Sequence, residues 1–175
     1  MASKSDILKE ASKYDAKYGF PDGFIASVIK IESAFNVNAE RQESGGRYSM
    51  GLMQVLRGGG AVDEYEKIYG QKSDEFFYNW KNNIKVGSWY LGEKIGSYLD
   101  RFKHDHTVEN YVIAYNAGIG NLNKYKKTGS LPSYTKKYLE KMQSNGIPIR
   151  VLAKGAGIFF SCPCCHSDLQ LSQVR

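Results

Sequence analysis

Between Phe24 and Phe35 the segment FIASVIKIESAF carries Ile25, Val28 and Ile29 at three- and four-residue steps, the period of a helix with one buried face. Glu32 falls on the same stripe, three residues after Ile29 and four after Val28, where a leucine would be expected. Desolvating an ionised carboxylate is expensive, so a carboxyl in such a place raises its pKa and keeps its proton near neutral pH unless it is paired. A carboxyl so held can act as a general acid. The spacing alone equally allows Glu32 to pair with a basic side chain or to lie on a solvated edge of the helix.

The rest of the chain also reads as helix. Ile7, Leu8, Ala11 and Tyr14 fall at helical steps behind Ser5 as N-cap, and Pro21 fits the first turn of the Glu32 helix. Residues 36 to 47, rich in Asn, Glu, Ser and Gly, read as a loop, and Gly58, Gly59 and Gly60 as a second break. A long helix is expected from about Trp80 to Phe102 on the spacing of Ile84, Leu91, Ile95, Tyr98 and Phe102. Its glycines, Gly87, Gly92 and Gly96, cost helix propensity and so imply a neighbour packed closely on the backbone. Thr107 caps the next helix, with Glu109 in its first turn and a stripe of Val108, Tyr111, Val112 and Tyr115, and Gly118 ends it. Pro132 opens the last clear helix, bearing Tyr134, Tyr138 and Met142. A small β-hairpin within residues 43 to 57 is compatible with the pattern. The expectation is a mainly α single domain over residues 1–150 with a flexible tail at 151–175.

Composition fits one packed unit. The chain has 175 residues, enough for a real core, with 42% hydrophobic and 24% charged residues, and no run reaches the roughly 18 apolar residues of a membrane span. Its 24 Lys and Arg against 18 Asp and Glu give a net charge of +6, which favours an anionic partner or simply a soluble basic surface. No basic stripe interleaved with aromatics supports nucleic-acid binding.

Three short motifs narrow the reading. ESAFN (Glu32, Ser33, Phe35, Asn36), GLMQV (Gly51, Leu52, Met53, Gln54) and AYNAG (Tyr115, Asn116, Gly118) occur in that order. Together they resemble the motifs of soluble lytic transglycosylases and goose-type lysozymes, glycoside hydrolase family 23. NIKVGSWYL from Asn83 and YTKKYLEKM from Tyr134 are similar to further helices of that family, so the resemblance covers roughly residues 20 to 142. It implies a lysozyme-like fold acting on peptidoglycan glycan strands, with Glu32 catalytic and no cofactor or metal. It further implies Met53 as an apolar wall of the sugar groove and Gln54 binding through its amide. Tyr115 and Asn116 would also face substrate, with the Tyr115 hydroxyl near the catalytic carboxylate and the substrate acetamido group, and Tyr134 would belong either to the groove or to the core.

Cleaving a glycosidic bond requires protonation of the leaving oxygen, for which Glu32 is the candidate. Ordinary glycosidases add a second carboxylate. The resembled transglycosylases instead use the same glutamate as base, drawing the 6-hydroxyl of muramic acid into a 1,6-anhydro ring. Here Gly51 follows Glu32 by 19 residues, a spacing closer to the goose-type enzymes, yet this chain lacks their loop aspartates and has Leu56 and Arg57 after the motif. Glu40 and Glu43 are the loop acids that could stand in, Glu43 being the nearer to GLMQ. The alternatives to an anhydro-forming enzyme are a hydrolytic lysozyme with the same cut and a glycan-binding module without catalysis.

The N-terminus shows no charged-then-apolar leader, which suggests a protein made in the cytoplasm that meets the wall as a phage lysis or virion-borne enzyme, or a secreted enzyme whose leader has been removed; a monomer is expected. Cys162, Cys164, Cys165 and His166 crowd four soft ligands into five residues. That is tighter than a tetrahedral zinc site usually takes, and opportunistic oxidation of the thiols is expected instead.

Overall fold

The computed structural model describes residues 2 to 149. Helices α1 (Lys4–Tyr18) and α2 (Phe24–Ser33) lead into strands β1 (Glu40–Gln42), β2 (Tyr48–Met50) and β3 (Val55–Arg57). Then come α3 (Ala61–Tyr69), α4 (Asp74–Tyr78), α5 (Trp80–Trp89), a π-helical segment (Tyr90–Ile95) and α6 (Gly96–Arg101). The chain continues through α7 (Val108–Ala117), α8 (Ile119–Thr128) and α9 (Ser133–Ser144). Among the described residues the architecture is mainly α with one small antiparallel sheet of order β1-β2-β3.

Local chemistry explains the boundaries. Ser3, not Ser5, caps α1: its hydroxyl accepts from Asp6 N, and the Asp6 carboxylate returns the bond to Ser3 N at 3.1 Å, a reciprocal capping box that Ser5 cannot build from inside the first turn. Pro21 lies ahead of α2 rather than in its first turn, because the chain turns through Gly23 at φ +80° before the helix begins. With no capping side chain of its own, α2 borrows one from α1. Asp15 accepts from Gly23 N at 2.9 Å and Ile25 N at 2.8 Å.

The loop expected over residues 36 to 47 is partly strand. Glu40, Arg41 and Gln42 pair with Met50, Ser49 and Tyr48, and β2 then pairs Tyr48, Ser49 and Met50 with Arg57, Leu56 and Val55. All of β1 is exposed, so its side chains carry no alternation by which a strand could be recognised. The long helix from Trp80 to Arg101 is continuous but widens to π geometry in its middle. At Gly87 an added Cβ would come within 2.7 Å of the Met53 sulfur, which is the close approach its propensity cost implied.

Apolar faces converge on a single core that includes Phe24, Ile25 and Ile29 from α2, Met50, Leu52 and Met53 around β2, Leu91 and Met142. Helix α2 is held between α1 and α9, and α7 between α8 and α9. Beyond α9, Ile147 and Ile149 are buried and the Ile149 carbonyl accepts from Glu109 N at 2.9 Å, so the packed unit extends at least to residue 149. The expected tail, with Cys162, Cys164, Cys165 and His166, lies outside the described residues. Among the described residues no helix is long and apolar enough to cross a membrane.

Candidate active site

Glu32 sits in the last turn of α2, where the buried stripe of that helix reaches its end. Its side chain is 9% exposed. The Tyr138 hydroxyl, from α9, donates to Glu32 Oε1 at 2.9 Å, and Arg41 Nη1 stands 4.0 Å from Oε2. Burial pushes the Glu32 carboxyl above the ordinary carboxylate range; the Tyr138 hydrogen bond and Arg41 oppose that, and the negative charge of Glu43 adds to it. The first expectation therefore has a physical basis: this acid retains its proton to higher pH than a solvated glutamate.

Arg41 does not belong to Glu32 alone. Its Nε holds Glu43 Oε1 at 2.6 Å, and Ser49, opposite Arg41 in the sheet register, lies 3.4 Å from the same oxygen. Glu40 faces elsewhere, accepting from the Tyr78 hydroxyl and from Gln42. Both loop acids are thus engaged by neighbours.

The turn from Gly51 to Gln54 is built backbone first. Asn83, fully buried on α5, donates to the carbonyls of Met50 (2.9 Å) and Phe77 (2.8 Å), and its Oδ1 accepts from Met53 N at 2.8 Å. Gly51 holds φ +69° against that amide, and any Cβ there would strike it at 2.3 Å. The turn presents the Met53 carbonyl, which accepts from the Tyr115 hydroxyl at 2.6 Å. The Met53 side chain, expected as an apolar wall of the sugar groove, is fully buried against Gly87 and Ser88. Gln54 is 8% exposed, and its Nε2 donates to the carbonyls of Ala39 (3.1 Å) and Gly51 (3.0 Å). With both amide hydrogens spent on backbone, only its carbonyl remains for a ligand.

Tyr115 and Tyr138 share the site electrostatically. Burial pushes both phenols well above their usual range, and the charge of Glu32 acts on each in the same direction. The π segment sets Tyr90 edge-on to Tyr115, ring centroids 6.2 Å apart. Asn116 is half-buried, and its shielded Oδ1 has no hydrogen-bond partner among the described residues. Such an orphaned acceptor is uncommon in a folded protein and calls for a donor. Backbone strain gathers here too: Ala34 (φ +50°) and Phe35 (φ +66°) directly follow the Glu32 helix, and Gln54 has φ +48°.

Tyr134, expected at the site, is 55% exposed on α9, whereas Tyr138 is 6% exposed and bonded to Glu32. The buried face of α9 runs through Thr135, Tyr138, Leu139 and Met142, and Tyr134 falls beside it. That periodicity was available in the sequence. Asn83 carried a similar signal, a polar residue three before Val86 and four before Gly87 on a buried helix face. Arg41 carried none.

Residues 10–137 match the family model described as the transglycosylase SLT domain. A membrane-bound lytic murein transglycosylase C from Photorhabdus laumondii is 32% identical over 119 residues, covering 66% of this chain and 31% of that protein. The same-named protein of Serratia proteamaculans is 30% identical over 118 residues, covering 66% and 32%. In structure, the chain is similar to the 70 kDa soluble lytic transglycosylase of Escherichia coli, with a TM-score of 0.52 and 21% identity over 82% of this chain and 21% of that one. A complex of the 70 kDa soluble lytic transglycosylase with bulgecin A gives 0.53 and 20%, over 85% and 22%. The structural likeness shows the lysozyme-like fold. The chain spans about a third of the length of the curated relatives it matches.

Proposed function

The chain belongs to the transglycosylase SLT domain family, and we propose that it cleaves the β-1,4 bond between N-acetylmuramic acid and N-acetylglucosamine in peptidoglycan, with Glu32 as acid and then base. The observation that carries this reading is the Glu32 carboxyl itself, buried at the end of an apolar stripe, raised in pKa, and bonded among the described residues to a single tyrosine hydroxyl.

The steps balance without a second acid. The Glu32 O–H protonates the glycosidic oxygen, the bond from the anomeric carbon to that oxygen breaks, and N-acetylglucosamine leaves with a new 4-hydroxyl. Positive charge develops on the muramoyl ring. The Glu32 carboxylate, steadied by Tyr138 and by Arg41, then takes the proton of the muramoyl 6-hydroxyl as that oxygen closes on the anomeric carbon. Glu32 is again protonated, no water is consumed, and the product ends in 1,6-anhydro-N-acetylmuramic acid. Tethering the nucleophile to its own electrophile removes the entropic cost of capturing a separate molecule. The engagement of Glu43 by Arg41, and of Glu40 by Tyr78, supports a single-acid mechanism over a hydrolytic one.

In this reading the half-buried Asn116 lies beside the substrate acetamido or stem peptide, the Gln54 carbonyl accepts from a sugar hydroxyl, and Tyr115 holds the Met53 carbonyl in place beside them. The wall is the site of action, reached as a phage-borne or as a secreted enzyme.

The test is Glu32→Gln. The amide keeps the shape but has no acidic proton, so clearing of a wall suspension should fall about a thousandfold while the melting transition stays intact. Near-normal lysis by a folded Glu32→Gln protein would refute the assignment.

A further inference from the structure

A second cleft, of about 310 Å³, lies between α1, α3 and α5 and shares no residue with the Glu32 site. Its volume is within the range of small-ligand sites. The floor is Tyr65 and Trp89, both nearly buried and set edge to face with centroids 5.3 Å apart. One wall is the pair Tyr14 and Tyr18, rings 6.4 Å apart and only 19° from parallel. The other is Tyr69, 47% exposed.

The rim is polar. Lys17 and the Tyr18 hydroxyl both contact Glu93 Oε1, at 3.2 and 3.0 Å. Lys85 is exposed and makes no ion pair among the described residues, and the Tyr14 and Tyr69 hydroxyls bond to none of them. The exposed Tyr69 ring and the Tyr14–Tyr18 pair, with the Lys17 ammonium 4.7 Å over the Tyr18 ring and edged by hydroxyls and charges of both signs, do not match an apolar helix, which would strand Lys17, Lys85 and Glu93 under its hydrophobic face. They do match a pyranose, which has an apolar C–H face and a hydroxyl rim. The unpaired Lys85 adds attraction for a carboxylate, and a muramoyl strand carries one on each lactyl group or stem peptide.

We propose that this cleft is a second glycan-binding site, one that holds a peptidoglycan strand away from the cutting site. The proposal rests on the reading of the chain as a wall enzyme. Held at two places, the protein rebinds an insoluble wall before diffusing away, so the cleft contributes to retention on the wall and not to the chemistry.

Two measurements test it, both on the full chain carrying Glu32→Gln so that substrate survives. The first is co-sedimentation with purified peptidoglycan sacculi. Tyr69→Ala and Lys85→Glu should each weaken retention about fivefold, and Lys127→Glu, the same charge change on α8 outside the cleft, should not. Retention equal to the parent for both cleft variants, or an equal loss for Lys127→Glu, would overturn the proposal. The second is NMR titration with the muramoyl tetrasaccharide of the glycan strand. Shifts of the Trp89 indole N–H together with the Gln54 and Asn116 amides are expected. Shifts at Gln54 and Asn116 alone would discard the cleft and leave the active site standing, and shifts at neither would count against both.

Discussion

The two ends of α2 each hold a buried carboxylate, and they are satisfied to very different degrees. At the N-terminal end Asp15, 2% exposed, accepts from Gly23 N and Ile25 N, and burial raises its pKa to about 6 in spite of those backbone hydrogen bonds. At the C-terminal end Glu32 has one tyrosine hydroxyl and a cation 4.0 Å away. Burial alone therefore does not distinguish a working acid from a structural one. What distinguishes them in the proposed mechanism is unfilled capacity: Asp15 is closed off by the helix it caps, whereas Glu32 keeps lone pairs unused among the described residues.

The widest separation between the two should come from neutralising each. Glu32→Gln is expected to abolish lysis while leaving the melting temperature unchanged or raised at neutral pH, because a carboxylate whose pKa is raised by burial is a net cost to folding when ionised. Asp15→Asn should leave lysis intact and act on stability alone, with its largest cost at low pH, since an amide turns an N–H toward one of the two donors the carboxyl group accepts from. Thermal melts and lysis rates on the same preparations would check both.

The same comparison has a pH signature. The folded-state pKa of Asp15, about 6, lies above its unfolded value of 3.8, so the folded state binds the extra proton between them. Its contribution is complete below the lower value and is lost as pH rises to about 6, a change of about 3 kcal/mol. Urea melts across that window should show the gap between the native protein and Asp15→Asn widening toward low pH.

Next in size is Tyr138→Phe, expected to lower turnover about tenfold. Without the hydroxyl the Glu32 carboxylate loses a donor, its pKa rises further, and the alkaline limb of the rate profile moves to higher pH. Tyr134→Phe, on the exposed side of α9, should leave rate and profile as they were. A small effect is expected of Glu43→Gln: activity should stay within about twofold, with the alkaline limb moving slightly downward as a negative neighbour is removed. A large loss there would mean that Glu43 takes part in the chemistry.

The sequence was most legible where apolar periodicity ran unbroken. The stripe of Ile25, Val28 and Ile29 located Glu32, and the steps from Trp80 to Phe102 found a helix whose π segment leaves the period nearly intact. It was silent where geometry depends on distant partners. Helix α8, with Leu122 its one buried residue, has too little stripe to be seen, and α3 and α4 are short. Strand β1 has no buried side chain, so Arg41 could not be placed beside Glu32 before the sheet was known. Met53 shows the limit of motif reading: its place in the turn was legible, but the space opened by Gly87, which draws its side chain inward, is a property of two elements together.

The central claim is that one carboxyl serves as acid and base in turn, so that the sugar captures its own cation and water takes no part. Digestion of purified peptidoglycan in water enriched in heavy oxygen, followed by mass spectrometry of the muropeptides, addresses it directly. The account predicts products ending in 1,6-anhydro-N-acetylmuramic acid, each one water lighter than a reducing-end muropeptide and free of the label. Reducing-end muramic acid carrying heavy oxygen at its anomeric carbon would contradict it.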